Sequence, residues 1–312
     1  MTKELEKSND KLIVKLDSQI LDGMSSCGEL YRLAYVENWR PNKRPPALER
    51  GGTMHKMLDF YYSQRKEGRG KLEDHAALVQ ETLVVGRLAM AKTDIDNDDF
   101  EDDETVFKNY ILRWQYDGWE ILEVEQPFSF VLHEDDKPIV VGGVRYLGLI
   151  IIYEGIVDLR VVDPKLGQIV VDTKTESRKF NPFILNNQFQ GYEMAFNVPV
   201  VVNKVGYQKS LPDNERFRRI IHQSGPLLLE EWKQDVVYTV RTAIGWHNDD
   251  YFPRNRTSCF KGFSACFYQM VCKEAEAGDG VREHKLTAYF HKEKPWDPYT
   301  RDSPVEELVN DI

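Results

Sequence analysis

Residues 155–175 read GIVDLRVVDPKLGQIVVDTKT. Two β-like runs are visible, and each carries an aspartate, Asp158 and Asp172, where a buried strand favours valine. A carboxylate among β-branched residues is costly to desolvate unless a cation or a strong set of hydrogen bonds compensates it. Two such carboxylates on neighbouring strands point to a divalent metal ion, because hard cations such as Mg²⁺ take oxygen ligands and accept phosphate oxygens as further ones. Lys174 lies two positions after Asp172, so both side chains leave the same face of one strand. A lysine there can stabilise charge developing on a phosphate or orient an attacking water. Taken alone, Asp-Thr-Lys also fits an edge-strand ion pair or a solvent-facing alternation.

Outward from this stretch, helical patterns dominate the first third of the chain. KLIVKL (11–16) reads as a short strand, followed by a helix containing CGELYRLAYVENW (27–39), which Pro41, Pro45 and Pro46 break. LERGGTMHKMLDFYYSQR (48–65) reads as a helix opened by Gly51, Gly52 and Thr53, with His55 and Asp59 on one face. HAALVQETLVVGRLAMA and ETVFKNYILRWQYD predict two more, separated by the acidic run DIDNDDFEDDE (94–104). That run is expected as a solvated loop, the other reading being an acidic lid that repels or mimics nucleic acid. From Trp119 the period changes to two, predicting strands over WEILEVEQPFSFVL, GVRYLGLIIIYEGIVDLRVV, QIVVDTKT and VVNKVGYQ. FILNNQFQGYEMAFN (183–197) and LLLEEWKQDVVYTVRTAIGW (227–246) read as helices. The expected fold class is α/β, a mixed central sheet flanked by helices. The expected division is an N-terminal segment over 1–50, a core over 51–225 with a helical insertion at about 72–117, and a C-terminal helical segment over 226–312.

With 312 residues, 41% of them hydrophobic, the chain can bury a substantial core. No run of about 18 apolar residues occurs and the N-terminus is charged, so a soluble, cytoplasmic protein is expected. The net charge of −10 argues against a general phosphate-binding surface, although much of it sits in residues 94–104. No Walker-type phosphate loop is present, which excludes a built-in helicase motor.

Taken together the motifs resemble the PD-(D/E)xK nuclease superfamily, specifically its RecB-like exonuclease branch. Gly52, Thr53 and His55 match its helix motif; Gly155 and Asp158 match Gly-x-x-Asp; Asp172 and Lys174 match Asp/Glu-x-Lys; Gln188 and Tyr192 match Gln-x-x-x-Tyr, all in the family's order. The resemblance implies a restriction-endonuclease-like core and a Mg²⁺ or Mn²⁺ ion held by His55, Asp158, Asp172 and the Thr173 backbone carbonyl. It further implies that Lys174 acts on the attacking water, and that Gln188 and Tyr192 line the site and contact the DNA backbone. Glu125 is a lower-ranked candidate, since some relatives use an extra carboxylate from the preceding strand.

Cys27, Cys259, Cys266 and Cys272 are the only cysteines, one near the start and three near the end. This arrangement resembles the iron–sulfur members of that branch, the AddB-type helicase–nuclease subunits and the CRISPR-associated exonucleases, and implies a [4Fe–4S] cluster stapling the two ends together. Thiolate-rich sites also suit Zn²⁺, and four unrelated buried thiols are a further reading. The chain departs from the family pattern in having six residues between Cys259 and Cys266, and Gly28 where proline usually follows the first cysteine. The expected function is a metal-dependent deoxyribonuclease, an exonuclease on DNA ends or single strands in recombination, repair or phage DNA processing, with a helicase or recombinase as partner. The alternative is a non-catalytic DNA-binding or recombination-mediator subunit on a nuclease fold.

Overall fold

The computed structural model describes residues 5–8, 11–71, 73–93, 97–176, 186–261, 264–274 and 278–299. In chain order, β1 (Leu5–Ser8) and β2 (Lys11–Leu16) lead to α1 (Ser18–Ser26), α2 (Gly28–Tyr31), a π-helical turn over Arg32–Val36 and β3 (Trp39–Pro41). Three helices follow: α3 (Pro46–Lys66), α4 (His75–Met90) and α5 (Asn97–Trp114). Then come β4 (Glu120–Asp135), β5 (Ile139–Val141), β6 (Val144–Tyr146), β7 (Leu149–Asp163) and β8 (Gly167–Glu176). Helix α6 (Asn187–Phe196) precedes β9 (Val200–Gly206), α7 (Asp213–Arg216), β10 (Phe217–His222) and α8 (Pro226–Asn248). A 3₁₀ turn over Arg256–Cys259, β11 (Phe260–Lys261), β12 (Ser264–Ala265), α9 (Gln269–Lys273), α10 (Asp279–Tyr289) and β13 (Phe290–Lys292) complete the order.

Two compact units alternate along the chain. One takes Met1–Lys43, Ser129–Gly155 and Gly225–Asp297; the other takes Arg44–Phe128, Ile156–Ser224 and Pro298–Ile312. In the first unit, β1 runs antiparallel to β2, and β2 runs parallel to the first half of β7, from Leu12 beside Leu149 to Leu16 beside Tyr153. Asp17 caps α1 by accepting the Ile20 N–H at 2.7 Å. A small apolar cluster joins Leu33, Tyr268, Val271, Leu286 and Phe290.

In the second unit, the rest of β7 pairs antiparallel with β8, β8 pairs parallel with β9 across the α6 connection, and β9 pairs antiparallel with β10. The fold is thus mixed α/β, a mixed sheet flanked by helices, as the change of period along the sequence predicts. Strand β9 is buried throughout, the mark of a central strand covered on both faces. Side chains of α3, α4 and α5, among them Met54, Tyr62, Leu78 and Phe107, pack on Leu159, Val161, Val171 and Val201 of the sheet. No described helix is long and apolar enough to cross a membrane.

Three local expectations change. Helix α3 starts at Pro46 rather than being opened by Gly51, Gly52 and Thr53, which lie within it, because proline at the first helical position loses no intrahelical bond and its fixed φ suits the start. The helix expected over 27–39 is interrupted at Cys27, whose extended backbone (φ −168°, ψ 121°) separates α1 from α2. The acidic run does not remain a loop: α5 begins at Asn97, while residues 94–96 lie outside the described residues. Several of its described carboxylates pair with cations. Arg50 bonds Asp99 (2.9 Å) and Asp103 (2.5 Å), and Arg87 bonds Glu104 at 2.7 Å. Burial pushes the Asp103 carboxyl up to about 6 against the pull of Arg50.

Candidate active site

The site is assembled in the second unit from α3, β4, the second half of β7, β8 and α6. The last β7–β8 pair is Leu159 with Val171, so Asp158 and Asp172 are the next residues of the two strands, close enough for Asp158 to act on the Asp172 carboxyl. The regular ladder stops there because the Asp158 carboxylate takes over: its Oδ2 accepts the Thr173 N–H at 2.6 Å. Like charges close together on paired strands are unfavourable, so this pair calls for a cation. Lys174 provides part of the answer, its Nζ lying 2.8 Å from Asp172 Oδ2. That contact is a close, buried ion pair, and it raises the Lys174 ammonium as it lowers the Asp172 carboxyl. Asp172 is 1% exposed; burial, the largest effect, and Asp158 push its carboxyl up while Lys174 pulls it down. Burial pulls the Lys174 ammonium down, but Asp172, then Asp158 and Glu176, outweigh it and hold it above its ordinary value.

His55 projects from α3, with Nδ1 3.5 Å from Asp158 Oδ2. Helix α3 can approach β8 because residue 51 is glycine; a Cβ there would sit 2.7 Å from Thr175 Oγ1. Gly52, by contrast, has open space around it. Among the described residues, His55, Glu125 and Asp158 form the group whose ligand atoms all lie within 4.8 Å of one another. An octahedral ion with bonds of about 2.1 Å places adjacent ligands about 3 Å apart, and the His55 Nδ1–Asp158 Oδ2 separation of 3.5 Å is close to that spacing. The sequence ranks Glu125 low and the structure brings it in. Its φ of +47° inside β4 is a left-handed conformation in a strand, which breaks the period-two alternation that would otherwise fix its direction. Asp172 lies on the adjoining strand but outside that close group.

Asn186 caps α6, its side chain accepting the Gln188 and Phe189 N–H groups. From this first turn Gln188 Oε1 accepts a hydrogen bond from Lys174 Nζ at 2.7 Å, and Gln188 Nε2 donates to the Tyr192 hydroxyl at 2.8 Å. That hydroxyl donates to the Ile156 carbonyl at 2.9 Å, with Asp172 Oδ1 at 3.4 Å. Behind β8, a buried chain that sequence reasoning missed supports Thr173. Asn203 Nδ2 donates to Thr173 Oγ1 (3.2 Å) and to the Tyr110 hydroxyl (2.9 Å), which contacts the Tyr62 hydroxyl at 2.8 Å. The signal was present in VVVNKVG, where an asparagine interrupts an otherwise apolar strand.

The chain matches a known family over most of its length: the model of the PD-(D/E)XK nuclease superfamily covers residues 19–273. The chain belongs to the PD-(D/E)XK nuclease superfamily. Enzymes of this nuclease superfamily use divalent metals, in keeping with the His55, Glu125 and Asp158 group. Among solved structures, a protein of Eubacterium rectale provisionally named an exonuclease is similar at 12% identity and TM-score 0.43, covering 84% of this chain and 93% of its own. The solved protein SSO0001 is similar at 13% identity and TM-score 0.32, covering 81% of this chain and 83% of its own. No curated protein matches the chain.

The four cysteines lie in the first unit and line one cavity of about 350 Å³, together with Arg254, Arg256 and Lys273. The β11–β12 pair, Phe260 with Ala265, brings Cys259 next to Cys266, whose N–H donates to the Cys259 carbonyl at 2.9 Å. Cys27 Sγ accepts the Asn255 N–H at 3.4 Å. Gly28 packs against Pro253, where a Cβ would meet Pro253 atoms at 2.7–3.0 Å, so this chain has no room for the proline that usually follows the first cysteine. Burial pushes the Cys266 thiol up, and the Cys272 thiol up to about 12 with Glu29 adding to the effect. A tetrahedral zinc ion with Zn–S bonds of about 2.3 Å requires sulfurs about 3.8 Å apart. No three of these four cysteines reach within 4.8 Å of one another among the described residues.

Proposed function

We propose that the protein is a divalent-metal-dependent deoxyribonuclease of the RecB-like branch, an exonuclease on DNA ends or single strands in recombination, repair or phage DNA processing. The observation that carries this reading is the meeting of Asp158 and Asp172 just beyond the end of the β7–β8 ladder, with Lys174 2.8 Å from Asp172 and His55 3.5 Å from Asp158. A His–carboxylate group beside a buried carboxylate suits a hard cation. His55, Asp158, Asp172 and the Thr173 carbonyl would hold it in the family's manner. When bound, such an ion supplies the Lewis acid and the activated water of phosphodiester hydrolysis. Lys174 contributes a fixed positive charge beside the reacting phosphate. His55 and Asp158 are half-buried, 35% and 21% exposed at the side chain, which leaves a substrate access to them.

The cysteine cavity supports a [4Fe–4S] cluster better than zinc, because the sulfurs surround a space wider than one ion spans. Its role in this reading is structural, tying Cys27 to a segment that begins 232 positions later.

Digestion of end-labelled single- and double-stranded DNA with Mg²⁺ or Mn²⁺ tests the catalytic reading. The wild type should release nucleotides from ends, and Lys174→Ala and Asp172→Ala should each abolish release. Cleavage surviving in both variants refutes it, and DNA that is bound but never cut under any metal condition favours a non-catalytic DNA-binding subunit.

A further inference from the structure

Family resemblance gives Gln188 and Tyr192 to the DNA backbone, but the hydrogen bonds here run elsewhere. Gln188 spends its carbonyl oxygen on Lys174 and its amide on Tyr192. Tyr192 is 2% exposed, and its hydroxyl donates toward the Ile156 carbonyl at 2.9 Å, two residues before Asp158, with Asp172 Oδ1 at 3.4 Å as a second acceptor. Phe189, from the same helical turn, places its ring 5.7 Å from Lys174 Nζ. Deeper in α6, Glu193 accepts the Ser224 N–H at 3.1 Å and meets His222 Nδ1 at 2.9 Å, which fixes the helix against the end of β10.

From this arrangement we infer that Gln188 and Tyr192 are positioning residues: they clamp the Lys174 ammonium and hold the strand of Asp158 at a fixed offset from the strand of Asp172. The clamp has three joints. Lysine has four rotatable side-chain bonds, and without an acceptor its head samples positions over several ångströms. Gln188 Oε1 and Asp172 Oδ2, at 2.7 and 2.8 Å, restrict the head to one place. Tyr192 then orients the Gln188 amide, since a hydroxyl already donating to Ile156 can only accept from Gln188, which leaves the amide oxygen facing the lysine. A buried hydroxyl two bonds removed from the lysine thereby determines which end of the glutamine meets it.

This inference rests on the nuclease reading and is separable from it. The test pairs single-turnover and steady-state cleavage of a labelled oligonucleotide in Mn²⁺ with its binding by fluorescence anisotropy in Ca²⁺, for Gln188→Ala, Gln188→Glu and Tyr192→Phe. Tyr192→Phe keeps the ring in the core and guards against misfolding of the glutamine variants. For Gln188→Ala and Tyr192→Phe, kcat should fall roughly 10-fold or more, the scale expected when a reacting group is displaced by about 1 Å, while oligonucleotide affinity changes less than about twofold. Gln188→Glu retains an acceptor for Lys174, so it should recover part of the lost kcat with affinity unchanged. Affinity falling in step with activity, above all in Gln188→Glu, where a carboxylate would repel a phosphate, would overturn the inference in favour of DNA contact. Loss of cleavage in Lys174→Ala with these results reversed leaves the nuclease reading standing and removes only the clamp; a wild type inert in Mn²⁺ removes both.

Discussion

Glu125 shows best how a single residue can be misjudged from sequence. In LEVEQPF it sits in an alternating pattern that assigns its side chain to neither site nor solvent, and only its φ of +47° redirects it. A non-glycine residue in that region costs about 1 kcal/mol or more, and such outliers cluster where a side chain must be aimed. Glu125→Gln should therefore weaken Mn²⁺ binding, measured by calorimetry without DNA, at least about 10-fold, the loss typical of disturbing even an outer partner of a ligand. Glu125→Gly removes the carboxylate and the strain together, so its metal-free melting temperature should equal or exceed that of the wild type. Superimposable Mn²⁺ titrations for Glu125→Gln and wild type would remove Glu125 from the ion's surroundings. Asp158, Asp172, Lys174 and His55 stand out in the sequence because each is chemically out of place in its element or part of an ordered motif. Glu125 does not, since backbone dihedrals leave no trace in a periodicity.

At the level of elements, the approach of α3 to β8 governs where His55 lands. The motif reading matched Gly52, whereas the packing singles out Gly51, the residue that meets Thr175. Gly51→Ala should destabilise the fold by about 1–3 kcal/mol through overpacking and reduce cleavage by displacing His55. Gly52→Ala, exposed on the same helix, should raise stability by about 0.5–1 kcal/mol. Chemical denaturation of the two variants checks the contrast, and equal effects would show that the helix–sheet contact is looser than described. Most elements were legible here because period and length agree, as in β8 and α8. Helix α5 was obscured because its carboxylates read as solvated; Arg50 and Arg87, which neutralise them, lie far off in sequence.

Across the whole molecule, the cysteines connect chemistry to chain architecture. Protein purified without oxygen should show the broad visible absorbance of an iron–sulfur cluster, with about four iron and four sulfide per chain, and Cys27→Ser should abolish both. Zinc at one equivalent with no sulfide would replace the cluster by a single ion. The count of four was plain from sequence, but their meeting in one cavity was not, because nothing local to Cys27 points to residues near Cys259.

The chain's repeated crossing between the two units, with β7 beginning in one and finishing in the other, sets the timetable of biogenesis. A ribosome that has translated through Ser224 has delivered every described strand and helix of the second unit, yet the first still awaits its last stretch up to Asp297. Until that stretch emerges, the apolar residues near Leu33 lack Tyr268 and Phe290. The nascent chain therefore passes through an interval of exposed stickiness, in which chaperones would be expected to engage it from its amino-terminal side.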